Sequence, residues 1–485
     1  MRGGRLSEGR SLRGLIVLIV AGIAWGALAF GAVYAWAFTP LLIVCLTVGV
    51  WCCAVDARAT LNKPVAISLL AIGLTGALQL IPLTRSTLQS VSPATGRVLQ
   101  HYDVQYANSV KDPHVLSIDP PSTGRGLIFF ASFGLLLVGL SRMLTRRHVA
   151  LLAMCTTGLG AVIALVGIVQ RATFNGKIYG FWQPQMASTP FGPFINRNHF
   201  AGWMLMALPL AVGLFCGLIA RGMDGLLGPG DTARDVDDPV FWRRRLLWCS
   251  SPDASRIILI GFAIVAMALS LVLSLSRLGL CGITIALLIG GRFAVRNRKQ
   301  RAQRIVAYGY VLLFVVVSAA SVWAGVEEGV ARFTDPGARD LGGRLPIWAD
   351  TVRIIRDFPL TGTGLNTYGT AMLFYQTTLP NEHVREAHND YLQLAAEGGL
   401  FLGIPIAIAV MIFIREVYLR FREKSDELTV YWIRTGAVAG LAAIALQSIG
   451  EFSLQMPGNA LLFTTLCAIA LHKSQRHPPV VSSYR

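Results

Sequence analysis

The chain has 485 residues, of which 54% are hydrophobic and only 14% are charged. About a quarter of the residues of a soluble protein are charged, and so much apolar surface cannot be buried in one soluble core. The composition therefore excludes a cytosolic enzyme, a disordered chain and a secreted disulfide scaffold, and it predicts an all-α polytopic membrane protein. The net charge of +17 would point to nucleic acid in a soluble protein, but here it must first be compared with membrane topology.

Twelve apolar segments are candidates for membrane-spanning helices, because a bilayer core about 30 Å thick needs about 20 apolar residues in a helix. The first is not a cleaved signal peptide, since it is long, lacks a convincing cleavage site and is closely followed by a second apolar segment. The twelve segments are 14–33, 38–55, 64–83, 126–141, 149–170, 199–220, 257–276, 278–292, 305–324, 399–414, 435–450 and 457–472.

Lys and Arg are unevenly distributed between the connections of these segments. If the N-terminus is cytoplasmic, the inner segments hold 29 of the 43 basic residues and the longer outer segments hold 14. Because Lys and Arg accumulate on the cytoplasmic side of membrane proteins, we predict that both termini are cytoplasmic. Most of the positive charge then reflects topology, and no nucleic-acid partner is expected.

The chain divides into N-terminal membrane helices over 1–189, a membrane core over 190–472 and a cytoplasmic tail over 473–485. The first part contains an outer loop at 84–125, whose Pro-containing turns predict a turn-rich connection. The second part contains an outer loop at 325–398, between spans nine and ten. This loop is long enough to fold as a small helical cap.

A helix is predicted inside the larger outer loop, beginning at Arg344 and ending before Phe358-Pro359. The apolar residues recur at a spacing that places them on one face of this helix. That face consists of Leu345, Trp348, Val352 and Ile355.

Arg197, Arg277 and Arg344 lie in the predicted outer segments, where the topology disfavours basic residues. One explanation is that they reach lipid headgroups or form salt bridges. The other is an anionic ligand, since a guanidinium group binds phosphate oxygens in bidentate fashion and stays charged when partly buried. Arginines from separate spans that converge at one level would form a clamp for a diphosphate.

His388 is the candidate base, flanked by Glu386 and Asp390 close to the start of a span. It is either a packing residue or a group that removes a proton from a hydroxyl, because imidazole titrates near neutrality. Asn389 or Asp390 is expected to cap the following helix. The Gly-Thr-Gly-Leu-Asn segment that ends at Asn366 is either a turn or part of a site. No second histidine lies at ligand spacing, so no metal is expected.

At these residues the sequence resembles the O-antigen ligase and polymerase superfamily of bacterial envelope proteins. The resemblance covers about 190–460, and it is specific for the superfamily because several weak motifs occur in order. The motifs are Phe194-Ile195-Asn196-Arg197-Asn198-His199-Phe200-Ala201-Gly202, Ser274-Leu275-Ser276-Arg277, Gly343-Arg344 with Trp348, Gly362-Thr363-Gly364-Leu365-Asn366, Ala387-His388-Asn389-Asp390-Tyr391-Leu392, Glu397-Gly398, and Glu451-Phe452 with Pro457-Gly458-Asn459-Ala460.

The resemblance implies a metal-independent glycosyltransferase in the bacterial inner membrane, with its active site on the periplasmic face and no nucleotide cofactor. The donor would be a glycan on undecaprenyl diphosphate. Arg197 and Arg277 would hold the diphosphate, and His388 would orient or deprotonate the acceptor hydroxyl. We expect Arg344 to bind the diphosphate of the donor as well. Possible residues of the acceptor side or of the supporting shell are Asn198, Asn389, Asp390, Glu386 and Asn366.

Within the superfamily, a ligase that transfers the glycan to the lipid A core is preferred, because one dominant outer loop lies between spans nine and ten. The alternatives are a polymerase of O-antigen or exopolysaccharide repeat units and an enzyme that glycosylates a protein hydroxyl. From other classes, a transporter predicts charges inside the spans and an internal repeat, and neither is clear in this sequence. A structural scaffold would make the outer arginines and His388 dispensable.

Overall fold

A computed structural model of the protein describes residues 2–54, 61–109, 113–184, 189–226, 252–296, 344–377, 382–423 and 427–473. These ranges contain sixteen α-helices and no β-strand. The helices are α1 Arg2–Leu28, α2 Ala35–Ala54, α3 Lys63–Leu78, α4 Arg85–Val91, α5 Pro93–Tyr102, α6 Val104–Ala107, α7 Pro120–Met143, α8 Arg146–Thr173, α9 Arg197–Leu226, α10 Pro252–Leu273, α11 Arg277–Arg296, α12 Arg344–Asp357, α13 Tyr368–Tyr375, α14 Asp390–Phe421, α15 Leu428–Gln447 and α16 Pro457–Leu471.

Seven of the described helices are long and apolar enough to cross a membrane, which confirms a multi-pass membrane protein. They are α2, α7, α8, α9, α10, α14 and α15. Three shorter apolar helices are Gly14–Leu28 within α1, α3 and α16. The predicted span 305–324 lies outside the described residues, as do 325–343 and most of the tail, so the count of twelve stays a prediction.

Helices α9 and α15 form the centre of the bundle. The apolar window of α9 is 83% buried, and Trp203 in α9 and Trp432 in α15 are both fully buried. The two backbones touch at Gly213 and Gly436, where a Cβ would lie 2.4 Å from the carbonyl oxygen of Trp432 and 2.2 Å from that of Pro209. Small residues allow apolar helices to approach this closely, which is the usual basis of packing inside a membrane.

Several helix termini meet at one end of the bundle, which we call the site end. Helix α11 begins beside α9, because a Cβ on Gly279 would lie 2.9 Å from a side chain of α9. Helix α16 also begins there, since Asn459 donates a hydrogen bond to the carbonyl oxygen of His199 at 3.0 Å. Helix α14 begins where α15 has just ended, as the Asp390 amide donates to the Ser448 carbonyl oxygen at 3.0 Å.

The two large outer segments pack together at the site end. The segment 84–125, predicted as a turn-rich connection, instead contains the three short helices α4, α5 and α6. Ala94 and Val98 of α5 share a hydrophobic cluster with Ile354 of α12 and Met372 of α13. The apolar positions of α5 are therefore buried by a partner that is distant in sequence. The described part of the predicted cap is helical, and its position outside the membrane stays a prediction.

Helix α12 spans Arg344–Asp357 within the described residues and ends before Phe358-Pro359, as predicted, but the predicted apolar face is only partly buried. Leu345 is 61% exposed, and the buried residues are Ile347, Asp350, Thr351 and Ile354. Two of these residues are polar, and each is satisfied by a neighbour rather than by solvent. Thr351 bonds the hydroxyl of Tyr368 at 2.7 Å, and the Asp350 carboxylate accepts the amide of Thr377 at 3.0 Å. An apolar pattern cannot identify a face that includes paired polar side chains.

The opposite end of the bundle has its own buried carboxylate with cationic partners. Glu416 is 6% exposed, and its carboxylate lies 2.8 Å from Arg415 and 3.4 Å from Arg420. Asn62, before α3, donates to the same carboxylate at 3.4 Å. Glu416 is therefore a buried carboxylate with cationic partners at the end of the bundle opposite to the site end.

Candidate active site

Glu451 lies at the centre of the site end, in the connection between α15 and α16, and its side chain is only 1% exposed. A buried carboxylate is costly unless it is paired and hydrogen-bonded. Its Oε1 atom accepts hydrogen bonds from the Arg344 guanidinium and the Asn198 side-chain amide. Its Oε2 atom lies 3.6 Å from Nδ1 of His388. One carboxylate thus brings together α9, α12 and the segment before α14.

The start of α9 is fixed to this connection by the backbone of Asn198. Its carbonyl oxygen accepts hydrogen bonds from the Gln447 side chain at 2.9 Å and from the Ser453 hydroxyl at 3.2 Å. The side chain of Asn198 is thereby directed to Glu451. The polar residues of the Asn-Arg-Asn-His motif position one another before α9 enters the apolar bundle.

His388 has a left-handed backbone conformation, with φ +50°, which is uncommon for a residue with a side chain. Two neighbours hold this turn: Trp348 donates its indole N–H to the carbonyl oxygen of Ala387 at 2.9 Å, and Asn389 caps α14 through the amide of Leu392 at 2.9 Å. The imidazole packs edge-on against Phe452, with the ring centroids 4.8 Å apart. The His388 side chain is 32% exposed, so a substrate can reach it.

Arg197 and Arg277 are the first residues of α9 and α11, which begin side by side at the site end. Both side chains are half-buried. The first turn of a helix presents backbone N–H groups and a partial positive charge that favour an anion. Ser276 lies directly before α11 and is buried, and Leu275 has φ +56°, so α11 starts abruptly. Two arginines and two helix N-termini therefore concentrate positive charge at one level.

A second polar network surrounds Gln393, one turn into α14. Its side-chain amide nitrogen lies 3.3 Å from Glu386, 3.3 Å from Glu397 and 3.1 Å from Gln455. Glu397 is 7% exposed, and its Oε2 atom accepts the backbone amide of Asn366 at 2.8 Å. The Gly-Thr-Gly-Leu-Asn segment is thus a turn that packs on Glu397.

Burial, with a smaller contribution from the nearby carboxylates of Glu397 and Asp390, raises the pKa of Glu386 to about 7 against the opposing effect of Gln393 and Arg385. A carboxyl whose pKa is higher in the folded than in the unfolded state gives stability at low pH. That contribution is lost as the pH rises through the folded value. The carboxyl ionises at a lower pH in the unfolded chain than in the folded chain, so a rising pH lowers the free energy of unfolding.

We therefore expect Glu386→Gln to flatten the pH dependence of stability. Between about pH 5 and about pH 8, the apparent Tm of the wild type in detergent should fall by several degrees more than that of the variant. The exposed Glu382 provides the matched control, and Glu382→Gln should follow the wild type. Parallel curves for the wild type and Glu386→Gln would show that the carboxyl ionises as freely in the folded chain as in the unfolded one.

The structure brings Arg344, His388 and Asn198 together around Glu451. Asp390 is adjacent, and its carboxylate accepts the Gln455 side chain at 2.9 Å. Asn366 and Glu386 belong to the Gln393 network instead. Other arginines of the large outer segment differ in their surroundings: Arg353 lies 2.7 Å from buried Asp350, whereas Arg332 and Arg339 lie outside the described residues. Within the described ranges, no three His, Cys, Asp or Glu side chains group as metal ligands.

The sequence patterns assign no separate role to Glu451. The residue belongs to the Glu451-Phe452 motif, and it lies far along the chain from Asn198, Arg344 and His388. One signal was available: Glu451 is an acidic residue in the short connection between the predicted spans 435–450 and 457–472, close to both membrane segments. The partner of such a residue is set by tertiary packing.

The O-antigen ligase family model matches residues 262–407 of the chain. The match begins in α10 and ends in α14, so it contains Arg277, Arg344 and His388, while Asn198 and Glu451 lie outside it. No curated protein matches the chain. The resemblance predicted from the ordered motifs is therefore confirmed by the match over residues 262–407, in a multi-pass membrane protein whose described residues form helices and no β-strand.

Proposed function

We propose that this protein is a membrane glycosyltransferase that moves a glycan from undecaprenyl diphosphate to an acceptor hydroxyl at the periplasmic face of the bacterial inner membrane. The observation that carries the proposal is the convergence at Glu451. A partly exposed histidine and a buried arginine meet on this carboxylate, at the end where two arginine-initiated helices begin. A scaffold would not need a partly exposed imidazole beside a buried carboxylate.

The donor side is formed by Arg197 and Arg277. Breaking the anomeric C–O bond leaves the additional negative charge on the lipid diphosphate. Fixed cations near this leaving group stabilise the transition state more than the ground state, because they face the charge that develops. Arg344 is already bonded to Glu451, so it contributes chiefly by holding that carboxylate. The donor is activated by its diphosphate, and the reaction requires no ATP.

The acceptor side is formed by His388, which takes the proton of the attacking hydroxyl as the new glycosidic bond forms. A neutral imidazole is suited to this step because one of its ring nitrogens carries a lone pair that can accept the proton. Holding hydroxyl and anomeric carbon in contact converts a bimolecular reaction into an effectively unimolecular one. An inverting displacement by this route needs no metal ion, since the arginines supply the positive charge at the leaving group.

Among the possible acceptors, the lipid A core is our first choice, because one dominant outer segment lies between the ninth and tenth predicted spans. The polymerisation of O-antigen or exopolysaccharide repeat units is the alternative within the superfamily. The two reactions share the donor and the base and differ only in the hydroxyl that is offered. The acceptor supplied to the purified protein therefore distinguishes them.

The test is transfer by the purified protein in detergent or proteoliposomes, with EDTA present. Undecaprenyl-diphosphate glycan is supplied with lipid A core in one reaction and with a second repeat unit in another. We expect a lipid A–glycan product in the first and release of undecaprenyl diphosphate. Product only in the second would favour the polymerase. A requirement for a divalent ion would contradict the metal-free mechanism, and no transfer to either acceptor would reject the proposal.

A further inference from the structure

We infer that Glu451 is a positioning residue for the transfer, which fixes His388 through one carboxylate oxygen while Arg344 and Asn198 hold the other. The inference rests on the proposed function, because it assigns a role to Glu451 in the same reaction. It adds a residue outside the segment that matches the O-antigen ligase family model.

The two oxygens of Glu451 have different surroundings. Oε1 accepts two hydrogen bonds, from Arg344 and Asn198, which fix the plane of the carboxylate. Oε2 is buried, and no hydrogen-bond donor reaches it among the described residues. Nδ1 of His388 lies 3.6 Å from this oxygen, and it is also buried without a hydrogen-bond partner among the described residues.

Two buried polar atoms that face each other without other partners are best explained as a pair. At 3.6 Å they are beyond hydrogen-bond distance, and catalytic hydrogen bonds are often long before the substrate complex forms. Phe452 follows Glu451 directly in the chain and packs edge-on against the imidazole, so the same connection contacts the ring and supplies the carboxylate.

The pairing of Glu451 with Nδ1 determines which nitrogen of His388 acts as the base. A carboxylate facing Nδ1 holds the proton on that nitrogen and leaves the lone pair on Nε2. It also stabilises the imidazolium that forms when Nε2 takes the proton of the acceptor hydroxyl. The proton moves from the hydroxyl oxygen to Nε2, the hydroxyl oxygen bonds to the anomeric carbon, and the electrons of the broken C–O bond remain on the diphosphate.

A purely structural role for Glu451 predicts different results. In that case the carboxylate only neutralises Arg344, and its removal would lower the amount of folded protein without a specific effect on His388. Glu416 offers a matched comparison because it is a buried glutamate paired with arginines at the opposite end of the bundle.

The experiment compares Glu451→Gln, Glu451→Asp, His388→Ala and the double variant Glu451→Gln with His388→Ala, all as purified full-length protein. Glu416→Gln is the control for loss of a buried charge. We expect Glu451→Gln to lower kcat about a hundredfold or more while the KM for the donor changes less than about tenfold. Glu451→Asp should recover part of kcat, because it restores the charge. Glu416→Gln should keep the wild-type kcat.

The double variant decides whether Glu451 acts through His388. If it does, adding Glu451→Gln to His388→Ala should cause little further loss, because residues that act as a unit are not additive. Losses that multiply would overturn the inference, and so would a normal kcat for Glu451→Gln. If the wild type itself transfers no glycan, the proposed function fails, which is a result distinct from a fully active Glu451→Gln beside an inactive His388→Ala.

Discussion

Replacing His388 with alanine is expected to lower the rate of glycan transfer by about 10²–10⁴-fold, the usual effect of losing a general base. Expression and donor binding should change little, because the His388 side chain is partly exposed. Asn389 caps α14 independently. The measurement is single-turnover transfer from undecaprenyl-diphosphate glycan to lipid A core, beside a thermal scan of each purified variant.

His388→Gln separates orientation from basicity in the same assay. Glutamine can accept a hydrogen bond from the acceptor hydroxyl but cannot take its proton at neutral pH, so it should recover only a small part of the rate. Near-normal transfer by His388→Ala would reduce the residue to packing against Phe452. The base would then be sought at Glu386, whose raised pKa of about 7 suits the task, or at Asp390.

The membrane helices were largely predictable because a long apolar run is a local property of the sequence. The predicted span 149–170 lies inside α8, Arg146–Thr173, and differs only at its polar ends. The predicted span 399–414 starts at a kink of α14, because Gly399 has a non-helical backbone with φ +54°, and it ends short of the last helical residue, Phe421. The first turns of α14 carry Gln393 and Glu397, which are buried by partners from other segments and therefore do not show as apolar.

The packing of the outer segments was not predictable from local patterns. The side chain of Gln79, after α3, donates to the carbonyl oxygens of Thr361 and Glu397, both at 2.9 Å. The amide of Ile118 bonds the carbonyl oxygen of Thr363 at 2.9 Å. These contacts join parts of the chain that are hundreds of residues apart. A turn-rich composition indicates a connection, but it does not reveal what the connection packs against.

For the candidate site, the sequence identified the residues by their type but did not show which side chains pair with one another. Arginines on the disfavoured side and a histidine before a span identified Arg197, Arg277, Arg344 and His388 as candidates. The sequence could not show that Arg344 would be bonded to a carboxylate, because its partner Glu451 lies 107 residues further along the chain.

The double substitution Arg197→Ala with Arg277→Ala is expected to abolish donor binding within the assay range while the protein still inserts in the membrane. Charge-assisted contacts to a phosphate contribute about 1.5–3 kcal/mol each, so each arginine accounts for about tenfold or more in affinity. The probe is undecaprenyl diphosphate without glycan, titrated onto purified protein. Lysine at either position should bind more weakly than arginine, because it keeps the charge but loses the planar fork.

The control removes two arginines of the opposite end, Arg256 and Arg415, which are 61% and 66% exposed. Arg256→Ala with Arg415→Ala changes the net charge by the same amount as the site double variant, so a general electrostatic effect would appear in both. We expect the control to bind the probe like the wild type. Undiminished binding and full transfer by Arg197→Ala with Arg277→Ala would exclude the diphosphate clamp, and the start of α9 and α11 at one level would then be a matter of helix packing alone.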